Sequence, residues 1–319
     1  MNRLALIHNP RSKRNRDDRT RRRKSAWAAR DILYAEPETP EALVETLREF
    51  ARLEVDLLAV DGGDGTVREV LTALPRAFEE RSPALAIMPS GNANLIAADV
   101  GVGARGDVAV ERLAEEARAG RLRHRLRRRF PLQVHWPESN REPIQGMFFG
   151  AAAFTDATAL ARETHRFGAH HGLDIVVTLA AALADAINEE GRQRWLSGRS
   201  IGLGLNGGEI QTEGRALFLA TSLHKLILGL WPFWGNEPGS IRYLDIAEHP
   251  RRLAAAVAPL LRGKPTPWML EEGYRSGAAD EMRLVLTDPF IVDGERFDPP
   301  VGGGELIVRP GAPIDFVGR

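Results

Sequence analysis

The sequence predicts two domains: an α/β domain with a parallel sheet, then a β-sandwich interrupted by one helical insertion. Three observations carry this. At 319 residues the chain exceeds the usual size of one domain. Up to about residue 122, short apolar runs alternate with helical patterns, which implies a parallel sheet covered by helices. Beyond that, short β-type runs are bounded by Gly, Asp and Pro clusters. The domains are drawn at 1–122 and 123–305.

Composition narrows the chemistry. Lys+Arg and Asp+Glu are both 43, so net charge names no partner and nothing points to nucleic acid. There is no cysteine, which excludes disulfides, thiolate chemistry and cysteine metal sites. The N-terminal apolar run is too short for a signal peptide, and no run of 18 apolar residues exists. A cytoplasmic protein is the expectation.

In the first domain, residues 4–7 read as a strand ending at His8-Asn9-Pro10, and 31–34 as a second strand. Thr39 then reads as a helix N-cap, with Pro40 at the first position, Glu41 in the first turn and an apolar stripe of Leu43, Leu47 and Phe50. Residues 57–60 form a buried-strand run, followed by Gly62, Gly63, Asp64, Gly65 and Thr66. Val67, Val70, Leu71 and Leu74 then recur at helical spacing up to Pro75. Glycines there allow positive φ and close approach to a ligand. Amides at a helix start favour an anion. A carboxylate left unpaired beside such amides is costly unless chemistry uses it, so Asp64 reads as functional. Residues 84–88 form the next strand, running into Pro89-Ser90-Gly91-Asn92-Ala93-Asn94, and 111–120 reads as a helix. Ligand loops in such sheets lie beyond the strands' carboxyl ends. The loops at Asn9, Asp64 and Asn92 all follow strands and are expected to converge on one crevice.

Gly62-Gly63-Asp64-Gly65-Thr66 resembles the GGDGT signature of the diacylglycerol kinase catalytic domain, a family related to sphingosine, ceramide and NAD kinases. Glu69 matches the glutamate that opens the following helix. Asn9, Pro10, Arg11 and Ser12 resemble the family's opening NPxSG turn, with Lys13 in place of its glycine. Pro89, Gly91, Asn94 and Ala97 match a second signature, in which Asn92 replaces threonine and Leu95 replaces aspartate. The resemblance implies a diacylglycerol kinase-like fold. It implies ATP bound by Asn9, Pro10, Arg11, Ser12, Thr39, Gly62, Gly63, Asp64, Gly65, Thr66, Glu69, Ser90, Gly91 and Asn92, with Mg²⁺ accompanying it.

The second half holds strand-like runs at 132–134, 147–154, 200–205, 216–221, 282–286 and 290–292, with a helical insertion at 172–194. Phe148, Asp156 and Ala157 match a further family pattern. Asp293-Gly294-Glu295 matches its acidic turn, which implies Asp293 as the catalytic base, Glu295 as its support and Asp64 as the alternative base. Residues 305–308 resemble the family's closing strand, so 306–319 is expected to pack back on the first domain. A metal-linked aspartate of bacterial members is replaced by Pro238, with Asp245 further along. No protein metal site is therefore assigned.

Two basic runs stand out: nine Lys or Arg in residues 11–24 and six Arg in 121–130. With the aromatic stretch 226–235, which holds Trp231, Phe233 and Trp234, they suggest peripheral contact with an anionic membrane at the inner face. The function implied is an ATP-dependent lipid kinase acting on a primary hydroxyl, with ceramide or a sphingoid lipid ranked above diacylglycerol and a homodimer left open. Two other readings share the motifs. An NAD kinase-like enzyme would have the glycine turn but not the Asp293 turn. A catalytically inactive lipid-binding protein would suit the departures at Lys13, Asn92, Leu95 and Pro238.

Overall fold

The computed structural model describes residues 3–16, 31–79, 81–166, 198–300 and 302–319. The chain forms two compact units, residues 1–131 with 312–319 and residues 132–311. The expected helical insertion at 172–194 and the basic residues 17–24 lie outside the described residues.

In the first unit, short strands, most of them apolar, stack side by side. They are β1 (Leu4–His8), β2 (Leu33–Ala35), β3 (Leu57–Gly62), β4 (Ala84–Pro89) and β5 (Leu126–Arg129). The six-stranded sheet runs β2-β1-β3-β4, then the C-terminal strand Ile314–Val317, then β5. All neighbours are parallel except β5, which runs antiparallel to Ile314–Val317. β1 and β3 are buried along their whole length, as expected where helices cover both faces.

The first helix is Pro40–Arg52. Thr39 caps it by accepting from the Ala42 amide at 3.2 Å, and Leu43, Leu47 and Phe50 are buried, as the spacing predicts. The second is Asp64–Ala73, so Glu69 sits inside it instead of opening it. Gly106–Arg118 starts five residues earlier than its apolar stripe suggests.

The second unit is one eleven-stranded, mainly antiparallel sheet. Its strands are β6 (Leu132–His135), β7 (Ile144–Gly146), β8 (Phe148–Ala152), β9 (Arg199–Leu205), β10 (Gln211–Thr221), β11 (Ile241–Ala247), β12 (Tyr274–Ala279), β13 (Met282–Leu286), β14 (Phe290–Val292), β15 (Glu295–Phe297) and β16 (Glu305–Pro310). Its main path is β15-β14-β8-β10-β9-β13-β16-β6-β7. Trp136, just past β6, packs on Phe290 of β14 at a centroid distance of 6.1 Å, although those strands lie near opposite ends of the path. The sheet therefore curls until its two ends share one core, which also contains Phe149, Phe218 and Leu306. That layering is the sandwich character expected.

Three local expectations are corrected. The run 147–154 splits, because helix Ala153–Arg166 begins directly after β8. The first unit extends to 131, because β5 joins its sheet by pairing with the returning C-terminus. Residues 305–308 belong to the second unit and not the first. Their strand, β16, pairs with β13 and β6, and only 312–319 returns.

Candidate active site

The ligand loops of the first unit leave the carboxyl ends of β1, β3 and β4. After β1, Asn9 closes a turn by accepting from the Arg11 amide at 2.9 Å through Oδ1 and from the Ser12 amide at 3.2 Å through its carbonyl. Asn9 Nδ2 donates to Thr66 Oγ1 at 2.7 Å, tying this turn to the glycine loop.

Gly62 and Gly63 serve close approach and not positive φ: neither they nor Gly65 are among the left-handed positions. A Cβ on Gly62 would lie 2.5 Å from Thr66 Cβ, and one on Gly91 would lie 2.4 Å from the Gly63 Cα. The two loops thus touch backbone to backbone, where no side chain fits. Gly63 precedes helix Asp64–Ala73 without a side-chain cap, so the helix start presents amides to an anion.

Asp64 is not the unpaired carboxylate expected from its position. It accepts from the Leu95 amide and the Ile96 amide, both at 3.0 Å. Burial pushes its pKa up, and the amides of Ile96, Leu95 and Asn94 oppose that shift. Its side chain braces the glycine loop against the helix Leu95–Val100. Asn94 itself is left-handed (φ 53°) and grips Gly91, accepting from its amide at 2.8 Å and donating to its carbonyl at 2.9 Å.

A cavity of about 190 Å³ lies beside these loops. It gathers six expected residues: Asn9, Pro10, Arg11, Thr39, Thr66 and Glu69. Ligand pockets run to about 300–1,000 Å³, so this one suits part of a nucleotide. Among the other expected residues, Ser12 and Ser90 are buried and Asn92 is exposed. The Ser90 hydroxyl donates to Asp61.

His8 and Asp61 are not among the residues that the motifs assign to the site. Both are buried, and His8 Nδ1 lies 2.8 Å from Asp61 Oδ2. The available signal was a polar residue at the end of each of two otherwise apolar strands.

In the second unit, Asp293 follows β14, is 6% exposed and has φ 47°. Its carboxylate accepts from the Met147 and Phe148 amides, both at 2.9 Å. These two amides fix the orientation of the carboxylate. Glu295 is exposed and opposite Val292 in the β14–β15 hairpin.

Asp245 is occupied by arginine: Arg215 Nε donates to it at 3.0 Å, and Arg275 lies 3.7 Å away. Burial raises its pKa and the Arg215 charge opposes the rise. Among the described residues, no group of three or more Asp, Glu or His is placed to hold a metal ion.

Much of the basic run 121–130 is internally paired. Arg125 pairs with Glu116, Arg128 with Asp315 at 2.8 Å, and Arg129 forks onto buried Asp99 at 2.8 and 3.0 Å. Arg121 and Arg123 stay exposed. The aromatic stretch also divides: Leu226 and Phe233 are buried, while Leu228 is 68% exposed. No described helix is long and apolar enough to cross a membrane.

A largely parallel α/β sheet with a helix N-terminus at its β3 loop is an arrangement that nucleotide-binding domains share. The relatives are specific within that class. Residues 3–122 match the model of the diacylglycerol kinase catalytic domain. A 59-residue stretch is 42% identical to the protein named Probable lipid kinase YegS of Escherichia coli O127:H6 (strain E2348/69 / EPEC), covering 18% of this chain and 20% of that one. The stretch thus spans one fifth of that relative's length. Two candidate diacylglycerol kinases of Bacillus anthracis str. Sterne superpose with TM-scores of 0.66 and 0.64 at 17% and 15% identity, covering 99% of this chain and 97% of each of theirs. A diacylglycerol kinase of the same organism gives 0.59 at 16% identity, with 98% and 96% covered. At such identities these structures show a shared fold.

Proposed function

We propose that the chain is an ATP-dependent lipid kinase that phosphorylates a primary hydroxyl. The observation that carries the reading is the glycine loop: Gly63 and Gly91 in backbone contact, uncapped amides at the start of Asp64–Ala73, and a pocket beside them lined by Asn9, Thr66 and Glu69. The amides hold the phosphates, and the pocket takes the nucleoside side. Asp293 takes the hydroxyl proton, oriented by the amides of Met147 and Phe148, with Glu295 in the same turn.

Magnesium commonly enters such sites on the nucleotide's phosphates, held by one or two carboxylates and waters. The ion's chemistry would be to neutralise charge on the transferred group.

Among lipids, a ceramide or sphingoid base is ranked above diacylglycerol, on Asn92 and Leu95 in place of threonine and aspartate. Peripheral contact with an anionic bilayer is part of the same reading, on the exposed Arg121, Arg123 and Leu228. Labelled ATP over a lipid panel, resolved by thin-layer chromatography, tests the proposal. Labelled product with no lipid would refute it. Faster turnover of diacylglycerol than ceramide would reverse the ranking.

A further inference from the structure

We propose that Asp61 is a positioning residue that locks the three nucleotide loops together through His8 and Ser90. This rests on the kinase reading above. Asp61 is 5% exposed and sits next to the end of β3. One carboxylate oxygen faces His8 Nδ1 at 2.8 Å, at the end of β1. The other accepts from the hydroxyl of Ser90, directly after β4. The Asp61 carbonyl accepts from the Asn9 amide at 3.0 Å and from Asn15 Nδ2 at 3.3 Å. Beside it, the Gly62 carbonyl accepts from the Ser90 amide at 3.0 Å. One residue therefore contacts the start of each loop that the nucleotide needs.

The arrangement is not what packing alone selects. Burying a carboxylate and an imidazole at strand ends costs desolvation that an apolar pair avoids. Hydrogen bonds of fixed length and direction give a single geometry instead. His8 Nε2 has no partner among the described residues, so the ring's polar contact is spent on Asp61. Its face stacks on Tyr34 with centroids 6.1 Å apart, and the residue lines the nucleotide pocket. A shift of His8 or Ser90 thus moves Asn9 on one side and Gly91 on the other. Small displacements of this kind cost binding and rate without touching a reacting atom.

The test uses the full-length protein with MgATP. Calorimetry gives the ATP dissociation constant, and steady-state kinetics give KM for ATP and for lipid. Asp61→Asn is expected to weaken ATP about tenfold or more, within the range a misplaced binding group costs, while the lipid KM stays within about twofold, since His8, Ser90, Asn9 and Asn15, which bond Asp61, all belong to the first unit. Asp61→Asn combined with Ser90→Ala is expected to be non-additive, the signature of one connected network. If Asp61→Asn fails to fold, Ser90→Ala and His8→Asn, each deleting one contact, are judged by the same criterion. A folded variant with wild-type ATP affinity overturns the inference alone. Wild-type protein that binds no ATP overturns the kinase reading and this inference with it.

Discussion

Asp293 and Phe148 hold each other by two reciprocal hydrogen bonds: the Phe148 amide donates to Asp293 Oδ1, and the Asp293 amide donates to the Phe148 carbonyl, both at 2.9 Å. This pairing sits where the chain passes from β7 at one end of the curled sheet to β8 near the other. The acidic turn is therefore anchored to the sheet's closure point, and one carboxylate serves both orientation and stability.

Asp293→Asn separates those roles. The carboxamide turns one acceptor into a donor facing a backbone amide. A stability loss of about 1–3 kcal/mol is expected, the usual cost of an unsatisfied buried group. If Asp293 is also the base, kcat falls roughly 10²–10⁴-fold with ATP binding unchanged. Thermal melts and single-turnover kinetics measure both. A kcat within threefold of wild type, after correction for folded fraction, would move the base elsewhere.

Asp64→Ala is expected to do more than remove a ligand-loop acid. It frees the Leu95 and Ile96 amides, at a cost of about 1 kcal/mol, typical of a lost helix cap. Phosphoryl transfer should fall as the two loops separate. Asp64→Asn keeps one acceptor but turns the other into a donor facing a backbone amide, as at Asp293, so it should lose stability as well. Equal melting temperatures for the alanine variant and wild type would show that the brace contributes nothing.

Membrane contact is predicted to depend on only part of the basic run. Arg121 and Arg123 are exposed, whereas Arg125, Arg128 and Arg129 hold Glu116, Asp315 and Asp99. Each free basic residue near an anionic surface is worth about 1 kcal/mol. Replacing Arg121 and Arg123 by alanine should reduce liposome flotation at low salt and leave the melting temperature unchanged. Recovery that ignores both salt and these substitutions would exclude an electrostatic contact here.

Glu116 supplies a pH test of the structural arginines. Burial raises its pKa, but the Arg112 hydrogen bond and the charges of Arg125 and Arg112 outweigh that, and the pKa is lowered from 4.5. A depressed acid stabilises the fold above its unfolded value and loses that contribution as pH falls through the folded value. Unfolding by urea should therefore show stability declining below pH about 4.5, the unfolded reference for glutamate. Glu116→Gln should flatten this decline. An unchanged pH slope would mean the pair adds no pH-dependent stability.

The strand–turn–helix of the first unit was legible because its signals are local. Apolar runs ended by glycine, the cap at Thr39 and the helical spacing of Val67, Val70 and Leu71 need no distant partner. The glycine conformations were misjudged for the opposite reason: Gly63 and Gly91 are glycines because each faces the other from a separate loop. Asp64 read as unpaired because its partners, the Leu95 and Ile96 amides, lie some thirty residues away.

The sequence alone determined the order of elements, the α/β character of the first half and the β character of the second, because side-chain periodicity and turn chemistry act over a few residues. It also located the glycine loop and the acidic turn. Only the tertiary structure decided that Glu305–Pro310 pairs inside the second sheet while 312–319 returns to the first. The same holds for the arginines that became ion-pair partners and for Asp61 as the junction of three loops. Strand pairing and buried polar contacts join residues far apart in the chain, and their energy depends on a geometry that exists only once the sheets have formed.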